Sequence, residues 1–182
     1  GSPQSLSATA VSALSAAQLA AIPAAKWGSM GAAWLNAVPP ALFATLAGTS
    51  VAKFSNAAVA GLDLPHVAAL TTTQMAAMAN PQSLSLAAVA TLTPAQASAI
   101  TTDLYWMSAS WLNALSPATF AALTPAQTAR IFQPAMSGLD AAHVSVLTGA
   151  QLKTMWCLDA LNPAAIAALS ATQVAALSVK FK

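Results

Sequence analysis

The sequence predicts an all-α fold, an α-solenoid built from short two-helix repeats, on three observations. A twelve-residue motif recurs about seven times along the chain, and its intact copies carry the pattern of a helix start. A longer repeat of about 77 residues is nested above this motif. Alternating apolar and polar runs typical of strands are absent, and Ala, a strong helix former, dominates the chain.

The motif consists of an apolar residue, two spacers, Leu, Ser or Thr, two spacers, Gln, three spacers and a final apolar residue. Intact copies occupy residues 11–22, 67–78, 89–100, 120–131, 144–155 and 166–177, and a degraded copy occupies 43–54. A hydroxyl residue followed three positions later by Gln is a capping box, in which each side chain bonds the backbone of the other residue. The predicted pairs are Ser15 with Gln18, Thr71 with Gln74, Thr93 with Gln96, Thr124 with Gln127, Thr148 with Gln151 and Ser170 with Gln173.

A second helix start lies eight residues before each capping box. Leu precedes each of these caps and a second apolar residue follows four positions after it, which is the pattern of a hydrophobic staple. The predicted caps are Ser7, Asp63, Ser85, Ser116, Asp140 and Asn162. Each repeat is therefore two helices of about two turns, which must be stabilised by stacking because such short helices are marginal alone.

The longer repeat aligns residues 34–78 without gaps on residues 111–155. Each copy also has an extra segment rich in Trp and Met, which we predict to be helical, at residues 25–36 and 103–113. We interpret residues 1–2 as a cloning remnant and the chain as a piece of a longer array. The predicted organisation is a single continuous domain over 3–182, with super-repeats at 3–80 and 81–157 and a partial one at 158–182.

Charge is unusually sparse in this sequence. Asp, Glu, Lys and Arg make up 5% of the chain and Glu is absent, so every intact capping box uses the neutral Gln. We therefore expect stability to depend weakly on salt and on pH between neutrality and about pH 4.

A net charge of +2 does not favour a polyanionic partner. Polar caps interrupt each apolar stretch before the length of about 20 residues that a membrane-spanning helix needs.

The aromatic residues are the candidate partner-binding residues. Trp side chains are enriched at binding hot spots, but they also fill wide gaps between helices, so core packing is the competing interpretation. Trp34 and Trp111 occupy equivalent positions, which favours a repeated packing role. The candidates are Trp27, Trp34, Tyr105, Trp106, Trp111 and Trp156.

Other reactive side chains receive structural interpretations. His66 and His143 each lie three residues after an Asp cap, where they can act as capping partners or, alternatively, bind a metal or assist a nucleophile. Cys157 is the single cysteine, and we interpret it as a small apolar residue. Since no catalytic constellation or phosphate-binding glycine loop is recognisable, we predict no enzyme activity, no cofactor and no metal.

Two resemblances bear on function. The segments 92–96 and 123–127, both Leu-Thr-Pro-Ala-Gln, resemble the opening of transcription-activator-like effector repeats, which would imply DNA recognition. Six basic residues are too few for the phosphate contacts of such an array, and the spacing between copies varies. Segments 70–78 and 169–177 are similar to Ala-rich Leu-Thr-x-x-Gln tandem arrays of bacterial secreted, surface and effector proteins. That likeness implies a non-enzymatic scaffold located outside the producing cell.

The predicted function is a structural or protein-binding scaffold, with another protein as its partner and a monomeric chain. The alternative is a helical module that binds a lipid or another apolar small ligand between its Trp and Met clusters. DNA recognition is the third hypothesis, and nucleic acid is not the favoured partner.

Overall fold

The computed structural model describes residues 2–102 and 104–178. These residues form eighteen short α-helices and five 3-10 segments, and the described chain contains no strand. The predicted all-α class is therefore confirmed, and the packing of many short helices against one another is compatible with an α-solenoid. The α-helices are α1 (Ala8–Ser12), α2 (Ala16–Ala20), α3 (Ala32–Leu35), α4 (Pro40–Phe43), α5 (Gly48–Val51), α6 (Asn56–Ala60), α7 (Leu64–Ala69), α8 (Thr72–Ala77), α9 (Leu86–Val89), α10 (Pro94–Ser98), α11 (Ala109–Ala114), α12 (Pro117–Ala121), α13 (Pro125–Thr128), α14 (Gln133–Ser137), α15 (Ala141–Ser145), α16 (Gly149–Thr154), α17 (Pro163–Ala167) and α18 (Ala171–Ser178). The 3-10 segments are Pro3–Ser5, Ala24–Ser29, Pro81–Ser83, Leu104–Trp106 and Leu158–Ala160.

The chain divides into two compact units. Residues 1–92 and 99–102 form the first unit, and residues 93–98 and 103–182 form the second. The division falls inside the motif copy at 89–100, not at the predicted super-repeat boundary after residue 80. That the two units together make one continuous domain remains a prediction.

The helix starts have the capping geometry that their sequences favour. In all six intact motifs the hydroxyl accepts from the N3 amide, and the Gln Oε1 atom accepts from the cap residue's own amide. At the six upstream caps the side-chain oxygen also accepts from the N3 amide. In the degraded motif, Ala47 stands at the cap position of α5 and makes no side-chain bond.

Three helices, not two, form one layer in the middle of each unit. In the first unit α3, α4 and α5 pack on α6, α7 and α8, which follow them by about 24 residues. In the second unit α11, α12 and α13 pack in the same way on α14, α15 and α16. The sequence predicted the second and third helix of a layer but not α6 or α14. Helices of five residues give no periodic signal in a window of about 11 residues or more, so they are recognised from their caps, and neither α6 nor α14 has a capping box.

The two extra segments, predicted to be helical, each contain a 3-10 segment followed by a short α-helix. The first contains the 3-10 segment Ala24–Ser29 followed by the single-turn helix α3. The second contains Leu104–Trp106 followed by α11, while its first predicted residue, Asp103, lies outside the described residues. Both segments place a large apolar residue in the core, Trp27 in the first and Leu104 in the second.

The glutamines of the capping boxes make hydrogen bonds both within their own box and to the preceding layer of helices. The Oε1 atom of Gln151 accepts from the amide of Thr148 at 2.7 Å, which closes the capping box. Its Nε2 atom donates to the carbonyl oxygens of Ala121 at 3.0 Å and Leu123 at 2.6 Å, at the end of α12. The last carbonyls of a helix have no partner within that helix, so this donor satisfies them. The same double role is found in Gln74, Gln127 and Gln173.

Gly138 is needed for close packing of α14 against α11, and substitution by Ala should be costly. An added Cβ atom would lie 2.5 Å from the Cβ atom of Ala109, the first residue of α11. Gly61 has the same relation to Ala32 in the first unit, which explains the repeated Gly-Leu-Asp sequence. Overpacking of this kind costs about 1–3 kcal/mol. We expect Gly138→Ala to lower the free energy of unfolding in urea by that amount.

The matched control is Gly31→Ala, because nothing lies within 4 Å of an added Cβ atom at Gly31. Gly31 is the N-cap of α3, so this control should cost at most about 1 kcal/mol, the usual preference for Gly over Ala at a cap, and less than Gly138→Ala. Equal losses in the two variants would contradict the packing explanation.

Candidate functional site

The six aromatic candidates divide evenly between the core and the surface. Trp27, Trp34 and Trp111 are buried. Tyr105, Trp106 and Trp156 are exposed, with 41%, 68% and 83% of their surface accessible. The structure therefore places the first three where a partner has no direct access, and it leaves the second three available for binding.

The buried tryptophans pack in the interior of their units. The rings of Trp27 and Trp34 meet edge to face, with centroids 5.9 Å apart, and Trp27 also contacts Phe54. The indole nitrogen of Trp34 donates to the carbonyl oxygen of Pro3 at 3.0 Å. The indole nitrogen of Trp27 has no hydrogen-bond partner among the described residues. These contacts assign Trp27 and Trp34 to packing.

The exposed aromatic side chains are joined by one that sequence reasoning missed. Phe132, at the start of α14, is 39% exposed, and its ring centroid lies 4.3 Å from that of Tyr105. Tyr105 also meets Trp106 edge to face, with centroids 5.0 Å apart. We call the four residues Tyr105, Trp106, Phe132 and Trp156 the aromatic surface. All four belong to the second unit.

Shallow depressions run along the aromatic surface. The first has a volume of about 270 Å³ and lies between Trp156 and the Tyr105–Phe132 pair, with Arg130 in its lining. The second has a volume of about 200 Å³ and lies between the same pair and Trp106. Tyr105 and Phe132 line both depressions and so form the ridge between them. A third hollow of about 380 Å³ beside Trp156 is lined by Ala129, Lys153 and Thr154.

The first super-repeat has no counterpart of the aromatic surface. Trp34 and Trp111 set the register between the super-repeats, and the 3-10 turns at Trp27 and Leu104 close with equivalent backbone bonds, to Met30 and Met107. In that register the equivalent positions in the first super-repeat are also exposed, but they carry small residues. Gly28 corresponds to Tyr105, Ser29 to Trp106, Ser55 to Phe132 and Ala79 to Trp156.

Phe132 also replaces a helix cap. Ser55 accepts a hydrogen bond from the amide of Ala58 at 3.2 Å and thereby caps α6. At the start of α14, Phe132 makes no side-chain cap bond. Loss of a Ser cap costs about 1 kcal/mol. The second unit therefore gives up local stability at a position where it exposes an aromatic ring. The signal was present in the sequence, as a difference between aligned super-repeats.

His66 and His143 do not close capping boxes, because the amides of Asp63 and Asp140 donate to Asn36 and Asn113; each histidine instead contacts the Asp side chain and the preceding layer. The Nδ1 atom of His143 lies 2.7 Å from Oδ1 of Asp140, and its Nε2 atom lies 2.8 Å from the carbonyl oxygen of Leu115. His66 makes the equivalent contacts with Asp63 and Val38 at 2.5 and 2.6 Å. Since a carboxylate and a carbonyl both only accept, the imidazolium form satisfies both contacts at once. Each histidine therefore occupies the structural position that Gln holds in the capping boxes.

The two Asp–His pairs define the pH range in which stability should change. Burial raises the pKa of Asp63, but the hydrogen bonds and charge of His66 outweigh burial and hold that pKa below its ordinary value of 3.8. Asp140 has its pKa lowered in the same way by His143. A carboxyl group with a depressed folded-state pKa stabilises the protein above its unfolded pKa, and this contribution is lost as the pH falls through the folded-state value.

We therefore expect the wild-type protein to lose stability below pH 3.8 more steeply than a variant carrying His66→Gln and His143→Gln. The Gln side chain keeps a donor for the preceding layer but carries no charge to depress the pKa of Asp. Urea midpoints of the two proteins at pH 4, 3 and 2 provide the measurement. Parallel pH profiles would show that the pairs make no such contribution.

The remaining candidate residues make few specific contacts. Cys157 is half-buried and lines the first depression. In the described part of the chain, no three His, Cys, Asp or Glu side chains are grouped so that they could hold a metal ion. No helix within residues 2–102 and 104–178 combines the length and the apolar character needed to cross a membrane.

No family model, curated protein or solved structure matches the chain.

Proposed function

We propose that the chain is a non-enzymatic scaffold that binds another protein through the aromatic surface. The scaffold is an α-solenoid of about seven repeats, nested in the super-repeat of about 77 residues. The observation that carries the proposal is the internal duplication. Equivalent exposed positions hold Gly, Ser, Ser and Ala in the first super-repeat and four aromatic residues in the second. The fold does not require these rings, since the first super-repeat forms the same turns without them.

A binding role explains why the chain keeps exposed aromatic side chains that do not favour its stability. Apolar rings exposed as a group are typical of interaction sites, and Trp and Tyr are enriched among the residues that dominate binding energy. The missing cap at Phe132 adds a local cost of about 1 kcal/mol. We propose no catalytic role, because both Asp–His pairs are already engaged in bonds that hold neighbouring layers together.

A transplant of the first super-repeat's residues tests the proposal. The surface variant carries Tyr105→Gly, Trp106→Ser, Phe132→Ser and Trp156→Ala. A random-peptide display selection on the wild-type protein, with depletion on the surface variant, should enrich peptides that bind the wild type at least tenfold more tightly than the variant. The matched control carries Leu64→Ala and Leu86→Ala, which removes exposed apolar side chains from the first unit and should leave peptide binding unchanged.

The free energy of unfolding shows whether the substitutions of the surface variant leave the fold intact. Phe132→Ser alone should raise the free energy of unfolding by about 0.5–1 kcal/mol, because Ser at this position can cap α14 as Ser55 caps α6. If the selection yields only peptides that bind wild type and surface variant equally, the aromatic surface is not the binding site and the proposal fails.

A further inference from the structure

We infer that the first unit contains a binding site for a primary carboxamide, at the place where the second unit supplies a glutamine side chain of its own. The site lies between α2 and α5 and shares no residue with the aromatic surface, so it goes beyond the function proposed above. Three observations carry the inference: the difference between the two super-repeats, the size of a hollow, and the hydrogen-bonding groups in its lining.

In the second unit, the side chain of Gln127 lies between α13 and α10. Its Oε1 atom accepts a hydrogen bond from the amide of Thr124 at 2.7 Å. Its Nε2 atom donates to the carbonyl oxygens of Ala97 at 3.0 Å and Ser98 at 3.3 Å. One carboxamide group therefore joins a backbone donor of its own layer to two backbone acceptors of the preceding layer.

The first unit keeps the backbone groups of this arrangement but lacks the glutamine. Ser50 stands where the second unit has Gln127, and Ala47 stands at the position of the cap residue. Leu19 and Ala20, at the end of α2, correspond to the two acceptor residues at the end of α10. In the described part of the chain, the amide of Ala47 and the carbonyl oxygen of Ala20 have no hydrogen-bond partner. A backbone donor and a backbone acceptor are therefore available to a ligand.

A hollow of about 130 Å³ lies at this place, and Ser50, Ala47 and the end of α2 are part of its lining. A cavity of about 150 Å³ in another protein binds benzene, so the hollow can hold a ligand of about six heavy atoms. Ser50 is only 9% exposed, and its hydroxyl has no hydrogen-bond partner among the described residues. Because a buried polar group without a partner costs stability, this hydroxyl favours a polar ligand over an apolar one.

A primary carboxamide matches this lining because it combines an acceptor oxygen with two N–H donors in one planar group. The oxygen can accept from the amide of Ala47, and the nitrogen can donate to the carbonyl oxygen of Ala20, as Gln127 does at the equivalent positions. A carboxylate would bring its oxygen against carbonyl oxygens, and a tertiary amide has no donor. The ligand is therefore a primary amide on a short aliphatic stem, either a protein side chain or a free small molecule.

Titration with propionamide, which reproduces the end of a glutamine side chain, tests the site. In ¹H–¹⁵N spectra of the intact chain, propionamide should shift the amide signals of Ala47 and Ser50 in a saturable manner. The signals of Thr124 and Gln127 should not move, because a glutamine of the chain already makes these contacts in the second unit. N,N-dimethylpropionamide and propionate, at equal concentration, should cause shifts at least about threefold smaller.

The variant that carries Ala47→Thr and Ser50→Gln rebuilds the capping box of the second unit within the site. The new glutamine should fill the hollow, so the urea midpoint should rise and the propionamide shifts at positions 47 and 50 should disappear. The matched control is Thr49→Gln, which adds a glutamine at an exposed neighbouring position outside the lining. This control should leave the propionamide shifts unchanged.

A Gln-containing peptide, acetyl-Ala-Gln-Ala-N-methylamide, separates the two sources of the carboxamide. Tighter binding of this peptide than of propionamide, lost when Glu replaces Gln, assigns the site to a protein side chain. Equal or weaker binding assigns it to a free small amide.

Three results would overturn the inference. They are the lack of a saturable shift with propionamide up to about 100 mM, equal shifts with N,N-dimethylpropionamide, and equal propionamide shifts in the wild type and the Ala47→Thr, Ser50→Gln variant. If that variant does not fold, the comparison of propionamide with its two analogues on the wild-type protein decides the question alone.

Discussion

Gln151→Glu should lower the free energy of unfolding at pH 7 by about 3 kcal/mol or more. The substitution preserves the size of the side chain and the acceptor that closes the capping box with Thr148. It replaces the Nε2 donor by an oxygen, which would then face the carbonyl oxygens of Ala121 and Leu123. Because Gln151 is buried, the new charge would be desolvated, and the bonds from Thr148 would not offset its repulsion by the two carbonyl oxygens.

The predicted loss has a characteristic pH dependence. Burial beside carbonyl oxygens should raise the folded-state pKa of the introduced Glu, because only its protonated form can donate to them. A group whose pKa is raised by folding contributes most to stability below its unfolded pKa, which is about 4.3 for Glu. The difference between Gln151→Glu and the wild type in urea unfolding should therefore shrink as the pH falls from 7 to 4.

Gln18→Glu is the matched control for this prediction. Gln18 closes the same capping box, with Ser15, but it is exposed and donates to no carbonyl of another layer in the described chain. Glu is an accepted partner in an exposed capping box, so this variant should change stability by less than about 0.5 kcal/mol. Comparable losses for Gln18→Glu and Gln151→Glu would show that the carbonyl contacts are not the reason for the choice of Gln.

These contacts also explain why the capping boxes that pack on a preceding layer use Gln and not Glu. The capping boxes were predictable because they are local: a hydroxyl and a Gln three residues apart identify each helix start. The hydrogen bonds that each glutamine donates from its Nε2 atom were not predictable, because the carbonyls that Gln151 contacts lie 28 and 30 residues earlier in the chain. Only the packing of successive layers brings them within reach. The choice of Gln at these positions thus has a tertiary cause.

The candidate site was predictable only in part, for a related reason. Residue type identifies Trp27 and Trp106 equally well as binding or packing residues. Their burial is decided by the 3-10 turn that each occupies: Trp27 takes the inward position that Leu104 holds in the second unit, and Trp106 takes an outward one. Phe132 was not among the predicted binding residues because it is the N-cap of α14, a helix too short to be recognised from periodicity.

Trp27→Ala should destabilise the protein by about 3–5 kcal/mol, whereas Trp106→Ala should change stability by less than about 0.5 kcal/mol. The first substitution empties a fully buried site beside Trp34 and Phe54, and the second removes a largely solvated ring. Denaturant unfolding followed by circular dichroism measures both effects in the intact chain. Equal effects would mean that exposure does not distinguish the two residues.

Trp27→Leu refines this test, because Leu104 occupies the equivalent buried position in the second unit. Leu fills part of the space and removes an indole N–H that has no partner among the described residues, so it should recover at least half of the loss caused by Ala. Peptide binding should be affected by the substitution at Trp106 and not by the one at Trp27. Trp106→Ala should weaken it while the helical signal is retained, and Trp27→Leu should leave it intact. A folded Trp27→Leu protein that no longer binds peptide would place Trp27 in the binding site and contradict its assignment to the core.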